Sequence, residues 1–283
     1  MITDSNFERR QAVGKLFFVW TGACALVACS LLFLILGYIA WQGASSLDWS
    51  FFTRLPKPVG EKGGGIANAI LGSAKVVGLA AALGLPIGVA GGLFLGENRK
   101  SRMSFWVRYA ADVLNGIPSI IVGLVTYTLV VLPMRHFSGL AGSIALAVIM
   151  IPIALRNTEE FIRLVPDTLR EAGLALGIPR WKVTLTIILP AASKGILTGC
   201  LLAVSRVAGE TAPLIFTAFG NRYWGEGMLQ PVASLPHTIY TYAISPYDDW
   251  HRQAWAAALV LMLFVLTINA ASRLWLRPSQ EGH

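Results

Sequence analysis

An arginine and a glutamate stand inside an otherwise apolar stretch, Gly195–Phe219, and they are the side chains best able to act on a ligand. Arg206 and Glu210 are four residues apart, so on one α-helix they would share a face. A charge near the middle of a bilayer costs about 2.5–3.5 kcal/mol on insertion scales, so such charges usually have a use. We interpret this face as part of a substrate path, in which Arg206 attracts an anion and Glu210 prevents overly tight binding. The alternative is that the pair ties this helix to a neighbouring subunit.

Three other polar side chains in apolar stretches are candidates for the same path. Lys75 either anchors its helix at the membrane interface or guides anions inward. Asn115 and Ser119 are also four residues apart, and Pro118 between them can bend the helix. They either line a cavity or hydrogen-bond to another helix. The four histidines have no metal-ligand spacing, so we predict no metal site.

The composition indicates that these stretches lie in a membrane. The chain is 55% hydrophobic and 13% charged, with a mean hydropathy of +0.61, whereas a soluble domain carries about 25% charged residues. Without a basic patch interleaved with aromatic residues, nucleic-acid binding is disfavoured. We therefore predict an all-α, polytopic membrane protein in a lipid bilayer, where a spanning helix needs about 20 residues. The six predicted spans are Leu16–Trp41, Ile66–Leu95, Tyr109–Pro133, Leu140–Leu155, Gly195–Phe219 and Ala254–Trp275.

Lysine and arginine are distributed unequally between the two sides of this map. With a cytoplasmic N-terminus, fifteen of the 23 basic residues face the cytoplasm, six face outward and two lie within spans. The positive-inside rule therefore predicts a multi-pass protein of the cell membrane (the inner membrane in a Gram-negative cell) with both termini cytoplasmic. The predicted regions are a tail and first transmembrane helix (1–42), an outer loop (43–65), a five-helix core (66–276) with a cytoplasmic loop (156–194), and a cytoplasmic tail (277–283).

The cytoplasmic loop contains a strongly patterned segment, residues 166–190. Thr168 followed by Glu171 matches a capping box at the start of a short helix. Apolar residues at helical spacing then predict one apolar face, formed by Leu169, Ala172 and Leu176. Gly177 predicts the end of this helix, and Pro179 predicts the start of a second one. Pro190 then stands just before the next span. An apolar face projecting into the cytoplasm implies a partner with a matching groove.

This segment resembles the EAA loop of importer permeases in the ABC transporter superfamily. The family pattern is matched in register at Glu171, Ala172, Gly177, Ile187, Leu189 and Pro190. The third motif position is Gly173 where the family pattern has Ala, which lowers local helix propensity by about 1 kcal/mol. The resemblance implies that this short helix docks into a cytoplasmic ATPase subunit and transmits its closure. The coupling residues implied are Glu171, Ala172, Gly173, Leu176, Gly177 and Pro179.

Three more stretches, at 63–73, 113–124 and 205–221, resemble the permeases of phosphate importers in the same superfamily. The GETAPL sequence within the last stretch is the most specific match. The resemblance implies a type I importer permease fold like that of the methionine importer (MetI-like), working by alternating access. It also implies inorganic phosphate as substrate, and as partners a second related permease, an ATPase dimer that binds ATP and Mg²⁺, and an external phosphate-binding protein.

The chain lacks the sequence motifs of an enzyme. There is no G-x-x-x-x-G-K-[ST] phosphate loop and no G-x-S-x-G nucleophile motif, so we predict a transporter subunit without a cofactor or ATPase site of its own. One alternative keeps this fold and changes the substrate to another oxyanion or small solute. A second is an ion-coupled secondary transporter, which would not need an exposed apolar helix in the cytoplasm.

Overall fold

The computed structural model of the chain is built almost entirely from helices. It describes residues 4–58, 61, 64–225 and 227–275, and the tail predicted at 277–283 lies outside them. The helices are α1 (Asp4–Ala44), α2 (Trp49–Thr53), α3 (Ala67–Glu97), α4 (Arg102–Gly116), α5 (Ser119–Met134), α6 (Gly139–Leu164), α7 (Asp167–Ala175), α8 (Arg180–Ala208), α9 (Ala212–Thr217), α10 (Leu235–Ala243) and α11 (Asp248–Trp275). Five of these, α1, α3, α6, α8 and α11, are long and apolar enough to cross a membrane, and α4 with α5 forms a sixth candidate span. The predicted all-α class is confirmed, and the six predicted spans correspond to five unbroken candidates and one bent pair.

The first helix, α1, is attached to the rest of the chain near its C-terminal end. The most apolar part of α1 buries none of its residues within the chain. Near its end, Tyr38 packs edge-on against Trp255 of α11, with ring centroids 5.2 Å apart. A methyl group at Gly43 would lie 2.7 Å from the Trp255 carbonyl oxygen, so the backbones approach closely there. The bare apolar surface of α1 is typical of a helix solvated by lipid.

A stripe of glycines joins α3 to α6. Gly84, Gly88, Gly92 and Gly96 recur every four residues on the buried face of α3. A Cβ atom on Gly88 would sit 2.7 Å from the Cβ of Ala154, and each of the other three would also meet α6 closely. Without side chains at these positions the two helices pack with their backbones in near contact, which favours association in lipid. These four glycines are therefore packing residues.

The predicted third span is broken at its centre. α4 and α5 meet at a bend of 100°. Ile117 is extended there (φ −75°, ψ 129°), because Pro118 disfavours helical backbone in the residue before it. The face of α4 that packs on α3 and α6 includes Ala111 and the half-buried Arg108, while Trp106 on the other side is 58% exposed. A continuous crossing over Tyr109–Pro133 is therefore wrong.

Two helices contain a widened π-turn shortly before a proline. In α5 the turn covers Tyr127–Val131, two residues before Pro133, and in α8 it covers Thr184–Ile188, two residues before Pro190. A proline in a helix has no N–H to donate and clashes with the carbonyl four residues earlier, and a π-turn relieves this locally. The second helix predicted after Pro179 and the span predicted after Pro190 are therefore one helix, α8, which runs through Pro190.

Candidate permeation and coupling sites

Arg206 lies in the last turn of α8 and its side chain is exposed. It follows Lys194 by twelve residues, which is ~18 Å along the helix axis. Among the described residues its guanidinium has no ion-pair or hydrogen-bond partner. A charge that the fold itself does not use is available to a ligand or to another subunit.

Glu210 does not share a helical face with Arg206, so that prediction is wrong. α8 ends at Ala208, and the Gly209 N–H closes the last turn by donating to the Arg206 carbonyl at 3.3 Å. Glu210 follows in non-helical backbone, half-buried, with no ion pair to Arg206. Non-helical backbone at membrane depth is tolerated where protein covers it or where it lines a water-filled cavity. The break is therefore a feature expected of a segment beside a substrate path.

The four-residue spacing of Asn115 and Ser119 predicts a shared helical face, and the bend between them makes that prediction wrong. Asn115 is exposed near the end of α4, and Ser119 is half-buried at the start of α5. One turn after Ser119, Gly123 packs so closely on Pro213 that a Cβ atom would lie 2.6 Å from the Pro213 Cα. Ser119 therefore lies within one helical turn of the contact between α5 and the chain that follows the break after α8.

Lys75 lies about two turns from the start of α3 with its side chain exposed. It lines a small pocket together with Tyr223 and Trp224, which belong to the loop between α9 and α10. Aromatic residues are enriched where a membrane meets water. The surroundings of Lys75 are those expected of an interface anchor, although they leave the side chain open to a passing anion as well.

The predicted coupling residues come together on α7 and the turn after it. Leu176 is 80% exposed and Leu169 is 42% exposed, and Glu171 and Ala172 are exposed beside them. Gly177 adopts φ +76°, the left-handed conformation that ends many helices. The result is a short helix that presents an apolar surface outside the spans, as the sequence predicts.

Two details of α7 differ from the sequence-based prediction. Helix α7 begins at Asp167 after Pro166 without a side-chain cap, so the capping box of Thr168 and Glu171 is not formed. Gly173 is the one buried residue of α7, and a Cβ atom there would lie 2.9 Å from Val183 of α8. The glycine that departs from the family pattern therefore lets α7 pack close to α8, and this close packing compensates for the lower helix propensity of glycine.

Ion pairs fix α7 to the end of α3. The Arg170 guanidinium donates to Glu97 at 2.7 Å and to Asp167 at 2.6 Å, and Arg99 lies 3.6 Å from Asp167. The side chains of Arg170 and Glu97 are each 21% exposed, so this pair is largely shielded from water. A displacement of α7 by a partner is therefore transmitted to α3.

A second group of charges surrounds the buried carboxylate of Glu159 on α6. Its side chain is 3% exposed and lies 2.6 Å from Arg108, 3.0 Å from Arg156 and 2.6 Å from Arg163. Arg156 also donates to Asp112 of α4 at 2.9 Å. This cluster was not predicted from the sequence, because residues 156–194 were assigned to a loop. The spacing of Arg156, Glu159 and Arg163 along one helical face was a signal of it.

The opposite end of the bundle holds a cavity of about 200 Å³, which we call the distal pocket. Its polar and aromatic lining consists of Asn68, Phe219, Asn221, Arg222, His237, Thr238, Thr241, Tyr242 and Trp250. It lies beside the first residues of α3, whereas α7 is bound to the last ones. This pocket was not predicted from the sequence, because its residues come from five separate segments of the chain.

His237 makes the stability of the protein sensitive to acid. Burial lowers the pKa of His237 below its ordinary value of 6.5. The unfolded chain therefore takes up a proton that the folded chain resists, so folding stability is lost as the pH falls from 6.5 through the lowered pKa. In phosphate-free detergent solution, we expect the melting temperature of His237→Gln to fall less between pH 7.5 and pH 5.5 than that of the wild type. His136→Gln, at an exposed position, should keep the wild-type profile, and an unchanged profile in His237→Gln would contradict the assignment.

The chain is similar to a known family of transport proteins. The family model described as "Binding-protein-dependent transport system inner membrane component" matches residues 88–278. A protein named phosphate transport system permease protein PstA from Yersinia pestis is 43% identical over 93% of this chain and 90% of its own length. A protein of the same name from Xylella fastidiosa (strain Temecula1) is 47% identical over 82% of this chain and 81% of its own length.

Solved structures show the same fold. A chain of the inward-facing MetNI methionine ABC transporter matches with a TM-score of 0.65 at 18% identity, over 75% of this chain and 94% of that one. A chain of an amino acid ABC transporter solved with histidines matches with a TM-score of 0.56 at 20% identity, over 75% of this chain and 92% of that one. The predicted MetI-like fold is confirmed.

Proposed function

Because this chain belongs to the family of binding-protein-dependent transport system inner membrane components, we propose that it is the permease subunit of an ATP-driven phosphate importer. It is a multi-pass membrane protein. The substrate is that of its relatives named PstA, which are 35–47% identical over most of the chain. The observation that carries the coupling part of the proposal is α7, a short helix outside the spans with exposed leucines and a charged anchor to α3.

The importer contains three further kinds of subunit in this proposal. A PstC-like permease completes the pathway, a PstB-like ATPase dimer binds ATP and Mg²⁺ and receives α7, and a PstS-like binding protein delivers phosphate. The α7 end of the bundle and both termini face the cytoplasm, in line with the excess of basic residues on that side. ATP binding and phosphate then favour different states of one bistable assembly, which is the basis of alternating access.

The substrate path in this proposal follows the break after α8. Arg206 supplies a positive charge in low dielectric, and Glu210 beside the break limits the residence time of the anion. Ser119 lies at the start of α5, next to the contact of α5 with the chain after this break, and Asn115 lies on the other side of the bend between α4 and α5. Lys75 lies toward the outer end of the path. The unpaired state of Arg206 among the described residues supports this assignment, since its charge is not neutralised within the fold.

Site-specific crosslinking tests the coupling. Cysteines are introduced at the exposed Ala172 and Ala175 in a background without the native cysteines, which are Cys24, Cys29 and Cys200. We expect a short crosslinker to join both positions to the ATPase subunit in the assembled complex. A cysteine at Tyr223, 75% exposed at the other end of the bundle, should give no such product. Absence of ATPase crosslinks from both α7 positions would overturn the assignment of α7.

Reconstituted uptake tests the substrate and the energy source. The complex in vesicles should accumulate phosphate only with ATP, and with a strong preference over sulfate and molybdate in the presence of the binding protein. Uptake that persists without the ATPase subunit would instead support an ion-coupled transporter, and a preference for another oxyanion would change the substrate while keeping the fold.

A further inference from the structure

Helix α4 runs across the ends of α3 and α6 and not beside them. Its contacts there are Ser104 with the Asn98 carbonyl, Arg108 with the Leu95 carbonyl and Glu159, and Ala111 with Leu95 and Leu155. From the first to the last of these contacts α4 advances ~10 Å, whereas their partners fall within about one turn of each neighbouring helix. Together with the 100° bend before α5, this arrangement turns α4 away from the direction of the spans.

The face of α4 that points away from the bundle is apolar and largely aromatic. More than two fifths of each side chain on this face is exposed, at Phe105, Trp106, Tyr109 and Val113. Their spacing places all four within about a third of the helix circumference. The Trp106 ring packs edge-on against Phe105 and Tyr109, with ring centroids 5.5 and 6.1 Å away. This aromatic face is a continuous surface that the chain itself does not cover.

The charges of α4 divide into a group used inside the protein and a group left free. Arg108 and Asp112 point inward and pair within the charged cluster around Glu159. At the start of the helix, Lys100 and Arg102 are exposed and have no ion-pair partner among the described residues. Residues 98–111 contain no acidic residue. A free basic group therefore adjoins the aromatic face, and this combination is typical of a helix that lies on a negatively charged membrane surface.

We propose that α4 lies in the plane of the membrane surface and binds anionic phospholipid there. Its aromatic face enters the boundary between headgroups and acyl chains, which tryptophan and tyrosine favour, and Lys100 and Arg102 donate to the headgroup phosphates. The two free cations select anionic lipid as the occupant, because its headgroups supply negative charge directly beside an apolar phase. This inference goes beyond the proposed function and takes from it only the cytoplasmic leaflet, since α7 lies at the same end of α3.

Depth measurements with nitroxide labels test the orientation of α4. Single cysteines at Trp106, Tyr109 and Val113, in a background without the native cysteines, are labelled in the complete importer in vesicles that contain phosphatidylglycerol. Collisions with oxygen and with a water-soluble nickel chelate then give the depth of each label. We expect all three labels to contact lipid at equal depth, whereas a helix that crosses the bilayer would place the last one ~10 Å deeper than the first. Labels at Arg9 and Leu26, both exposed on α1, provide the references for water and hydrocarbon.

Lipid selectivity tests the headgroup contacts. A fluorophore on a cysteine at Tyr109 is quenched by spin-labelled phosphatidylglycerol or phosphatidylcholine in the same vesicles. We expect at least a roughly fivefold preference for phosphatidylglycerol, and Lys100→Gln with Arg102→Gln should reduce it to less than about twofold. Arg10→Gln with Lys15→Gln is the matched control, because it removes two exposed cations ahead of α1 and should leave the preference unchanged. Inorganic phosphate should displace no more lipid than chloride at equal ionic strength, which separates a headgroup contact from a phosphate site.

Three results would overturn the proposal. These are a depth that increases along α4, labels shielded from both collision reagents by another subunit, and equal quenching of the parent protein by the two lipids. ATP-driven phosphate uptake decides the proposed function separately. Uptake with a depth gradient along α4 removes only this inference, and a level, lipid-exposed α4 without uptake removes only the function.

Discussion

Arg206→Ala is expected to reduce phosphate uptake to background while the complex still assembles. The guanidinium has no partner among the described residues, so its removal leaves no buried carboxylate unpaired within the fold. Its loss removes up to two charge-assisted hydrogen bonds to the anion, each worth about 1.5–3 kcal/mol. The expected fall in uptake is therefore about a hundredfold or more, measured as ATP-dependent accumulation in vesicles. Arg206→Lys keeps the charge and loses the bidentate geometry, so it should retain a small part of the activity.

Lys194→Ala provides the matched control for this prediction. Lys194 is an exposed cation on the same helix, and its removal should leave uptake close to the wild-type rate. Normal uptake by Arg206→Ala would refute the role of Arg206 in the path. Loss of the assembled complex in Arg206→Ala would instead favour the alternative in which Arg206 ties α8 to the second permease.

Glu159→Ala is expected to destabilise the protein by about 3–5 kcal/mol, the usual cost of removing one partner from a buried ion pair. The carboxylate is 3% exposed and lies among three guanidinium groups, those of Arg108, Arg156 and Arg163. Without it, three positive charges remain close together in a partly dry environment. The free energy of unfolding, measured by denaturant titration in detergent micelles, reports this change.

Glu160→Ala is the control for Glu159, since it removes the same functional group one residue later. Glu160 is exposed on the same helix, and substitutions at such positions usually change stability by no more than about 0.5 kcal/mol. Equal stability of the two variants would show that the arginines around Glu159 do not depend on it.

The membrane helices could be predicted from the sequence because lipid imposes one simple requirement, a sufficiently long apolar run. Helix ends were harder to predict, because they depend on single residues. Gly209 ends α8 just before Glu210, and Pro118 turns the chain between Asn115 and Ser119, so two residue pairs placed on shared helical faces are separated. The glycine and proline signals were present, but hydrophobicity alone favoured continuous spans.

Apart from the local spacing of Arg156, Glu159 and Arg163, the charged clusters and the distal pocket could not be predicted, because they depend on contacts between distant parts of the chain. Arg108 and Glu159 are joined only when α4 crosses α6, and Arg170 meets Glu97 only when α7 folds back on α3. No local pattern encodes such pairings. The α7 segment was predicted well for the opposite reason, since its spacing of apolar residues and its terminal glycine act within a few residues of each other.

The glycine contact between α3 and α6 limits where the protein can change shape during a transport cycle. A slide of one residue along this contact would bring Val89 and Leu93, or Ile87 from the other side, to positions where even a methyl group on Gly88 or Gly92 would meet α6 too closely. Helices α3 and α6 must therefore move together as one rigid unit. Hinge motion is left to the 100° elbow between α4 and α5 and to the unwound residues 209–211, and both flank the proposed path.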